Sequence, residues 1–369
     1  MAASSPANSN SNDYVSMDSL ADFLRFKKGP VRGTGELQTA IVSYRKQSPE
    51  STISSSLQVD LVSAIHIADK EYYSTLQKEL ESYDCVLYEM VTKGKKENPE
   101  TATRLRLILR TMHSWFDRIL IDFGRRLMEP ILSLDDQVKC LNYEAENWYH
   151  ADLDNETFTR LQYERGESVW TYAIPKSKGK LLIWAAFLLL PTSVAIAAIR
   201  LCTGRSPAPY FTELAGALSR LDSDAAMKVS FANLLTSEFV QKTVDEEEKS
   251  VVIGERNRVA IEALKRAMDE KGHHNSKIAI FYGAAHMRDL GRRLKEEFDL
   301  VPSGQHRWMT AWSVEKASGW TLHRCLNLAL LCTWFSPILS KDLLFWKRVF
   351  GRFHIQKSRI ADYVSRCLV

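Results

Sequence analysis

An apolar, β-favouring run that ends in small residues and a histidine constrains this chain more than any other feature. Ile278-Ala279-Ile280-Phe281-Tyr282 leads into Gly283-Ala284-Ala285-His286, and Leu290, Leu294 and Phe298 follow at four-residue spacing. The pattern predicts a strand, a tight turn that delivers a histidine, and a helix. It occurs once before. Val59 to Ile65 leads to His66, and a helix bearing Tyr73, Leu76 and Leu80 follows. Both copies place small residues before the histidine and an aspartate three positions after it, Asp69 and Asp289. One strand-end histidine is an ordinary structural residue; two in matching frames point to a composite site.

Between the copies lies a second strand, Cys85 to Met90, in which Cys85, Leu87 and Glu89 share a face by the two-residue period. Burying Glu89 there is costly unless it is paired, hydrogen-bonded or metal-bound; as a strand-end acid it equally reaches solvent. Strands alternating with helices predict an α/β fold with a mostly parallel sheet, made of two related strand-x-x-His-helix halves. A large helical insertion over 100–250 separates the halves, and a helical C-terminal tail follows them. In such sheets ligands bind beyond the carboxyl ends of the strands, where His66, Glu89 and His286 all fall. Two imidazoles and a carboxylate suit a divalent metal with open positions for water and substrate. Such a metal supports hydrolysis, and Arg256 is placed to stabilise an oxyanion.

These residues carry a resemblance. Ser63-Ala64-Ile65-His66, Glu89 in Leu87-Tyr88-Glu89, Glu255-Arg256-Asn257-Arg258 and Tyr282-Gly283-Ala284-Ala285-His286 together resemble the TraB/PrgY family, which is related to the GumN and TIKI proteins. The resemblance covers roughly residues 57–310. It implies His66, Glu89 and His286 as metal-site residues, with Glu89, Arg256 and Asn257 as the catalytic set. It also implies a divalent ion such as Mn, Co or Zn and a peptidase-like activity on a peptide or protein. The first motif departs by carrying Ser63 where the family has glycine, and a position needing positive φ would be strained there.

The rest of the chain sets the context. Its 369 residues are 45% hydrophobic and 25% charged, which suits a globular chain. A net charge of +4 and the lack of a basic, aromatic-interleaved stripe argue against a nucleic-acid partner. Six scattered cysteines without a Cys-x-x-Cys pair read as reduced thiols. Residues 1–55 are expected to be largely disordered, apart from a short amphipathic helix over Met17–Phe26, and lack the features of a secretory signal. Residues 56–320 form the main domain and 321–369 an apolar helix with a basic tail.

Thr101–Glu129 reads as a long amphipathic helix whose His113 and Asp117 suit a surface or capping pair, and Leu134–Gln162 reads as helical again. Asp245–Glu248 reads as a solvated loop or helix start. Leu181–Ile199 holds nineteen residues without a charge, long enough to span a bilayer. A single crossing there would part His66 and Glu89 from His286. The stretch therefore reads as a buried helix, or as a hairpin bent at Pro191 and dipping into one leaflet. Residues 322–346 offer a second contact with an organelle membrane, mitochondrial or chloroplast. The alternative to a hydrolase is a catalytically silent membrane adaptor. An esterase without metal ranks last, because the chain has no Gly-x-Ser-x-Gly elbow.

Overall fold

The computed structural model describes residues 17–46, 57–92, 132–167, 213, 216, 217, 222–271 and 276–315. The stretches 181–199 and 322–346, the His113/Asp117 pair and the C-terminal tail lie outside the described residues. Among the described residues no helix is long and apolar enough to cross a membrane.

The architecture is α/β, built on a mixed, largely parallel sheet. Strands β1 (Leu24–Lys28) and β2 (Gly35–Lys46) are followed by β3 (Gln58–Ala64), β4 (Ile67–Ala68), helix α1 (Lys70–Leu80) and β5 (Cys85–Tyr88). Next come β6 (Asp135–Asp136), the single turn α2 (Gln137–Cys140), β7 (Trp148–His150) and α3 (Asn155–Arg165). Helices α4 (Ser223–Leu235), α5 (Glu238–Glu247) and α6 (Arg256–Lys271) precede β8 (Lys277–Gly283), α7 (Met287–Phe298) and β9 (Leu300–Val314). The main sheet runs β1-β2-β3-β8-β5-β7, with β9 on the other edge of β2. Strands β3, β8, β5 and β7 are mutually parallel, while β1, β2 and β9 pair antiparallel. β4 and β6 form a separate two-stranded ladder.

The period-two pattern sorts the core into two layers. On one face Val62, Val86, Ala279 and Phe281 pack with Tyr73, Leu76 and Leu80 of α1 and Val229 of α4. On the other, Leu61, Leu87, Ile278 and Ile280 pack with Leu264 of α6 and Leu290 and Leu294 of α7. Each such side chain contributes about 1.5–3 kcal/mol by leaving water. Helices on both faces and a parallel centre leave the carboxyl edge of β3, β8 and β5 as the place where their loops converge.

Four local expectations are corrected. The N-terminal segment is not largely disordered over 17–46, where it supplies β1 and β2. Leu37 to Tyr44 are buried except for Ser43, because β2 has neighbours along both edges and layers on both faces. Met17–Phe26 forms only a 3-10 turn, Leu20–Asp22, held by a capping box from Ser19 and Asp22, before the chain extends into β1. Leu134–Gln162 is not a continuous helix: it contains β6, α2 and β7, and β7 joins the main sheet, so the 100–250 stretch is not purely an insertion. The acidic run closes α5, not opens it.

At that helix end the carbonyl dipoles are already negative. Burial, with Glu167 and Glu246 nearby, pushes the Glu247 carboxyl up to about 7. A carboxyl raised in the folded state contributes stability that is complete below its unfolded value of about 4.3 and is lost as pH rises through 7. Glu247→Gln is therefore expected to stabilise the chain at pH 8 by on the order of 1 kcal/mol, a value reduced for its partial exposure. Near pH 4 the gain disappears. Urea unfolding at both pH values checks the sign.

Candidate active site

The carboxyl edge of the sheet gathers a chain of buried charges. Glu89 follows β5 directly. Its Oε2 accepts the Gly283 amide at 2.5 Å and its Oε1 accepts Arg256 Nη2 at 2.7 Å. Arg256 is also forked onto Asp152, Nε to Oδ1 at 2.9 Å and Nη2 to Oδ2 at 2.6 Å. The Asp152 side chain is fully buried, so the guanidinium bridges two acids inside the protein. Burial opposes ionisation of Glu89. Arg256, His286, His66 and the Gly283 amide outweigh that and hold its carboxyl well below the usual carboxylate range.

Arg256 is delivered by an unusual helix start. A π-helical turn, Val251–Glu255, runs into α6, with Ser250 Oγ accepting the Val252 and Ile253 amides. Such turns recur at functional sites. Gly254 is required in it, since a Cβ there would sit 2.3 Å from the Glu248 carbonyl oxygen. The outer residues of the Glu-Arg-Asn-Arg run face away: Glu255 pairs with Arg165 and Arg258. Arg256 and Asn257 are buried inward.

His286 closes a 3-10 turn, Ala284–His286, between β8 and α7. Its Nδ1 lies 2.7 Å from Asn257 Oδ1. The Asn257 amide is oriented by its own Nδ2, which donates to the His286 carbonyl at 3.1 Å and to Asp289 Oδ2 at 2.9 Å. Oδ1 must therefore accept, and the imidazole proton sits on Nδ1. Nε2 keeps its lone pair, 3.6 Å from Glu89 Oε1 and 3.5 Å from Arg256 Nη1. Burial pushes His286 down to about 4 against the pull of Glu89, so it is neutral near pH 7. The Tyr282 ring lies edge-on to it, centroids 5.2 Å apart, and the Tyr282 hydroxyl donates to the Ala151 carbonyl.

His66 is arranged differently. It is exposed, lies two residues past β3, and has Nδ1 3.2 Å from Gln137 Oε1. It lies near enough to act electrostatically on both Glu89 and His286. The shared aspartates also differ in role. Asp289 is buried beneath Asn257 and held by Arg292 and Arg293. Asp69 accepts Lys228 Nζ of α4 and the Ser313 amide of β9.

The glycine question is settled by register. Ala64, not Ser63, pairs with Gly283, and Ser63 pairs with Tyr282. Ser63 is an ordinary strand residue whose hydroxyl donates to the Phe23 carbonyl at 3.1 Å, and its φ is not positive. Gly283 has no positive φ either; it is small because a Cβ there would meet Glu89 Oε2 at 3.2 Å. Gly283→Ala is thus expected to fold with a loss of about 1 kcal/mol from overpacking, the Glu89 carboxylate giving way by a small shift. Chemical denaturation measures the loss.

Glu89, Arg256, Asn257 and His286 thus form one connected cluster, with His66 at its exposed side. Asp152 belongs to it as well. Among the described residues no group of three or more His, Cys, Asp or Glu side chains is disposed as a ready-made metal site. Comparison of the chain with protein-family models, with curated proteins and with solved structures finds no match.

Proposed function

We propose that this protein is a metal-dependent hydrolase of the TraB/TIKI type that acts on peptide bonds. His66, Glu89 and His286 are its metal residues, at the carboxyl ends of two related strand-His-helix halves. The observation that carries the reading is the facing pair of acceptors. The unprotonated Nε2 of His286 and a Glu89 carboxylate oxygen lie 3.6 Å apart, and the Arg256 guanidinium reaches both, Nη2 at 2.7 Å from Glu89 and Nη1 at 3.5 Å from His286. A divalent ion held between them would share that cationic role, and imidazole with carboxylate is the donor set of Zn, Mn or Co. The Asn257 contact on Nδ1 is the outer support that histidine ligands characteristically have. A bound divalent ion would acidify a water and polarise a carbonyl.

The chain's own groups have separable tasks. Glu89, ionised across the neutral range, accepts a proton or a ligand bond. Arg256 fixes that carboxylate through Nη2 and keeps Nη1 3.5 Å from His286 Nε2, which puts a positive charge where negative charge would develop. Asn257 acts through His286 by holding its tautomer. Exposed His66 lies on the side from which a substrate arrives. Membrane association through 181–199 or 322–346 completes the reading.

The silent-adaptor reading draws on one observation: Arg256 already neutralises Glu89. Hydrolysis of unstructured peptides by the full-length protein, followed by mass spectrometry with Zn, Mn or Co, chelator and restored metal, separates the two. Metal-restored cleavage supports the hydrolase; no cleavage with any of the three ions supports the adaptor.

A further inference from the structure

We infer that Arg293 and Asp289 are positioning residues: from α7 they grip the chain on both sides of Arg256 and hold the π-helical turn in the register the site needs. The kinetic consequence rests on the function proposed above; the latch itself does not.

Arg256 sits where the π-helical turn hands over to α6, and a π turn holds more residues than the α turn it joins. A slip of one residue there would swing Arg256 by about 100° around the helix axis, away from Glu89 and Asp152. Contacts from α7 oppose that slip at two points. Arg293 Nη2 donates to the Gly254 carbonyl at 3.3 Å, just before Arg256. Asp289 Oδ2 accepts Asn257 Nδ2 at 2.9 Å, just after it. The two grips are joined, because Arg293 Nε donates to the same Oδ2 at 2.6 Å. Asp289 and Arg293 stand one helical turn apart and so share a face of α7. The Asn257 amide has a fixed orientation in this arrangement. Its Nδ2 donates to the Asp289 carboxylate and, at 3.1 Å, to the His286 carbonyl, and both groups only accept. α7 begins directly after His286, so one helix fixes the histidine and, through this pair, the arginine.

The first copy of the motif lacks the pair. Tyr73 stands in the frame position of Arg293, and its hydroxyl donates to the Ile65 carbonyl at 2.9 Å. Asp69 is spent on Lys228 and Ser313. The latch belongs to the second half alone, the half against which Arg256 docks.

The test uses Arg293→Met, which keeps an apolar stem and leaves Asp289 bonded to Arg292 and Asn257, so that no buried carboxylate is stranded. Hydrogen exchange of the full-length protein at pH 7, read by mass spectrometry, compares a peptide over 249–258 with one over 277–283. The first covers the turn, where the Val252 and Ile253 amides bond to Ser250, and the second covers β8 and reports the whole fold. Exchange over 249–258 is expected to be about 10-fold faster in the variant, the scale of one lost charged hydrogen bond, with β8 unchanged. No change over 249–258, or equal acceleration of both peptides, would overturn the latch. In peptide hydrolysis the variant should lose about 10–100-fold in kcat while KM stays within about two-fold, because Arg293 acts through Gly254 and Asn257 on the placing of the reacting groups. An unchanged kcat beside faster exchange at the turn would overturn the positioning role. Faster exchange at the turn with no hydrolysis by the wild type would support the latch and refute the hydrolase reading instead.

Discussion

Replacing Arg256 with methionine is expected to destabilise the folded chain by about 3–5 kcal/mol at pH 7, because it strands buried carboxylates without their cation. Glu89 and Asp152 both bond to Arg256 Nη2, at 2.7 and 2.6 Å, and the Asp152 side chain is fully buried. The melting temperature should fall by roughly 10 °C. The pH dependence carries the diagnosis. In the wild type the depressed Glu89 carboxyl contributes stability that is full above its unfolded value of about 4.3 and is lost only as pH falls further. In Arg256→Met the strongest charge opposing burial is gone and only His286, His66 and the Gly283 amide still counter it, so Glu89 rises and the variant gains relative stability as pH falls toward 4.5. Adding Glu89→Gln and Asp152→Asn should recover much of the loss, since a buried ion pair is not intrinsically more stable than neutral groups of similar shape. A pH-independent deficit, unrelieved by those substitutions, would show that Arg256 serves packing and not charge.

Glu89→Gln should do the reverse: little harm to the fold, great harm to turnover. Arg256 keeps its two bonds to Asp152 in this variant, and the glutamine carbonyl can still accept the Gly283 amide. The stability cost is therefore expected to be about 1–2 kcal/mol. Peptide hydrolysis should fall by about 10³-fold, the scale of a lost proton-transfer group. His286→Ala should match that loss, and the pair combined should lose little more than either alone, because residues acting as a unit are not additive. Hydrolysis within a few fold of wild type in Glu89→Gln would remove the carboxylate from the chemistry.

Much of this site was legible from residues alone, and the omissions have physical causes. The run Ile278–His286 reads as strand, turn and histidine because its apolar residues, small turn and helical spacing agree at every level. Glu89 stood out as an acid in an apolar strand and Arg256 as a cation placed for an oxyanion, while Asn257 entered only with the family resemblance. Asp152 was hidden: the short strand β7 that ends just before it lies among aromatics and acids whose spacing mimics a helix. β2 escaped because a strand buried on both faces lacks alternation, and β1 because its buried Leu24 and Phe26 sit in a run short enough to read as a helix. Ser63 stood out against the family's glycine, whereas in the sheet Ala64 is the residue that pairs with Gly283, one position from the alignment by histidine. Sequence spacing shows which residues recur, but hydrogen-bond register decides which of them are equivalent.

The most direct test of the account is the metal content of the full-length protein after dialysis against Zn, Mn or Co, measured per chain by mass spectrometry. One ion is expected in the wild type and essentially none in Glu89→Gln or His286→Ala. Equal metal content in the wild type and in both site variants, or none in any, would contradict the account.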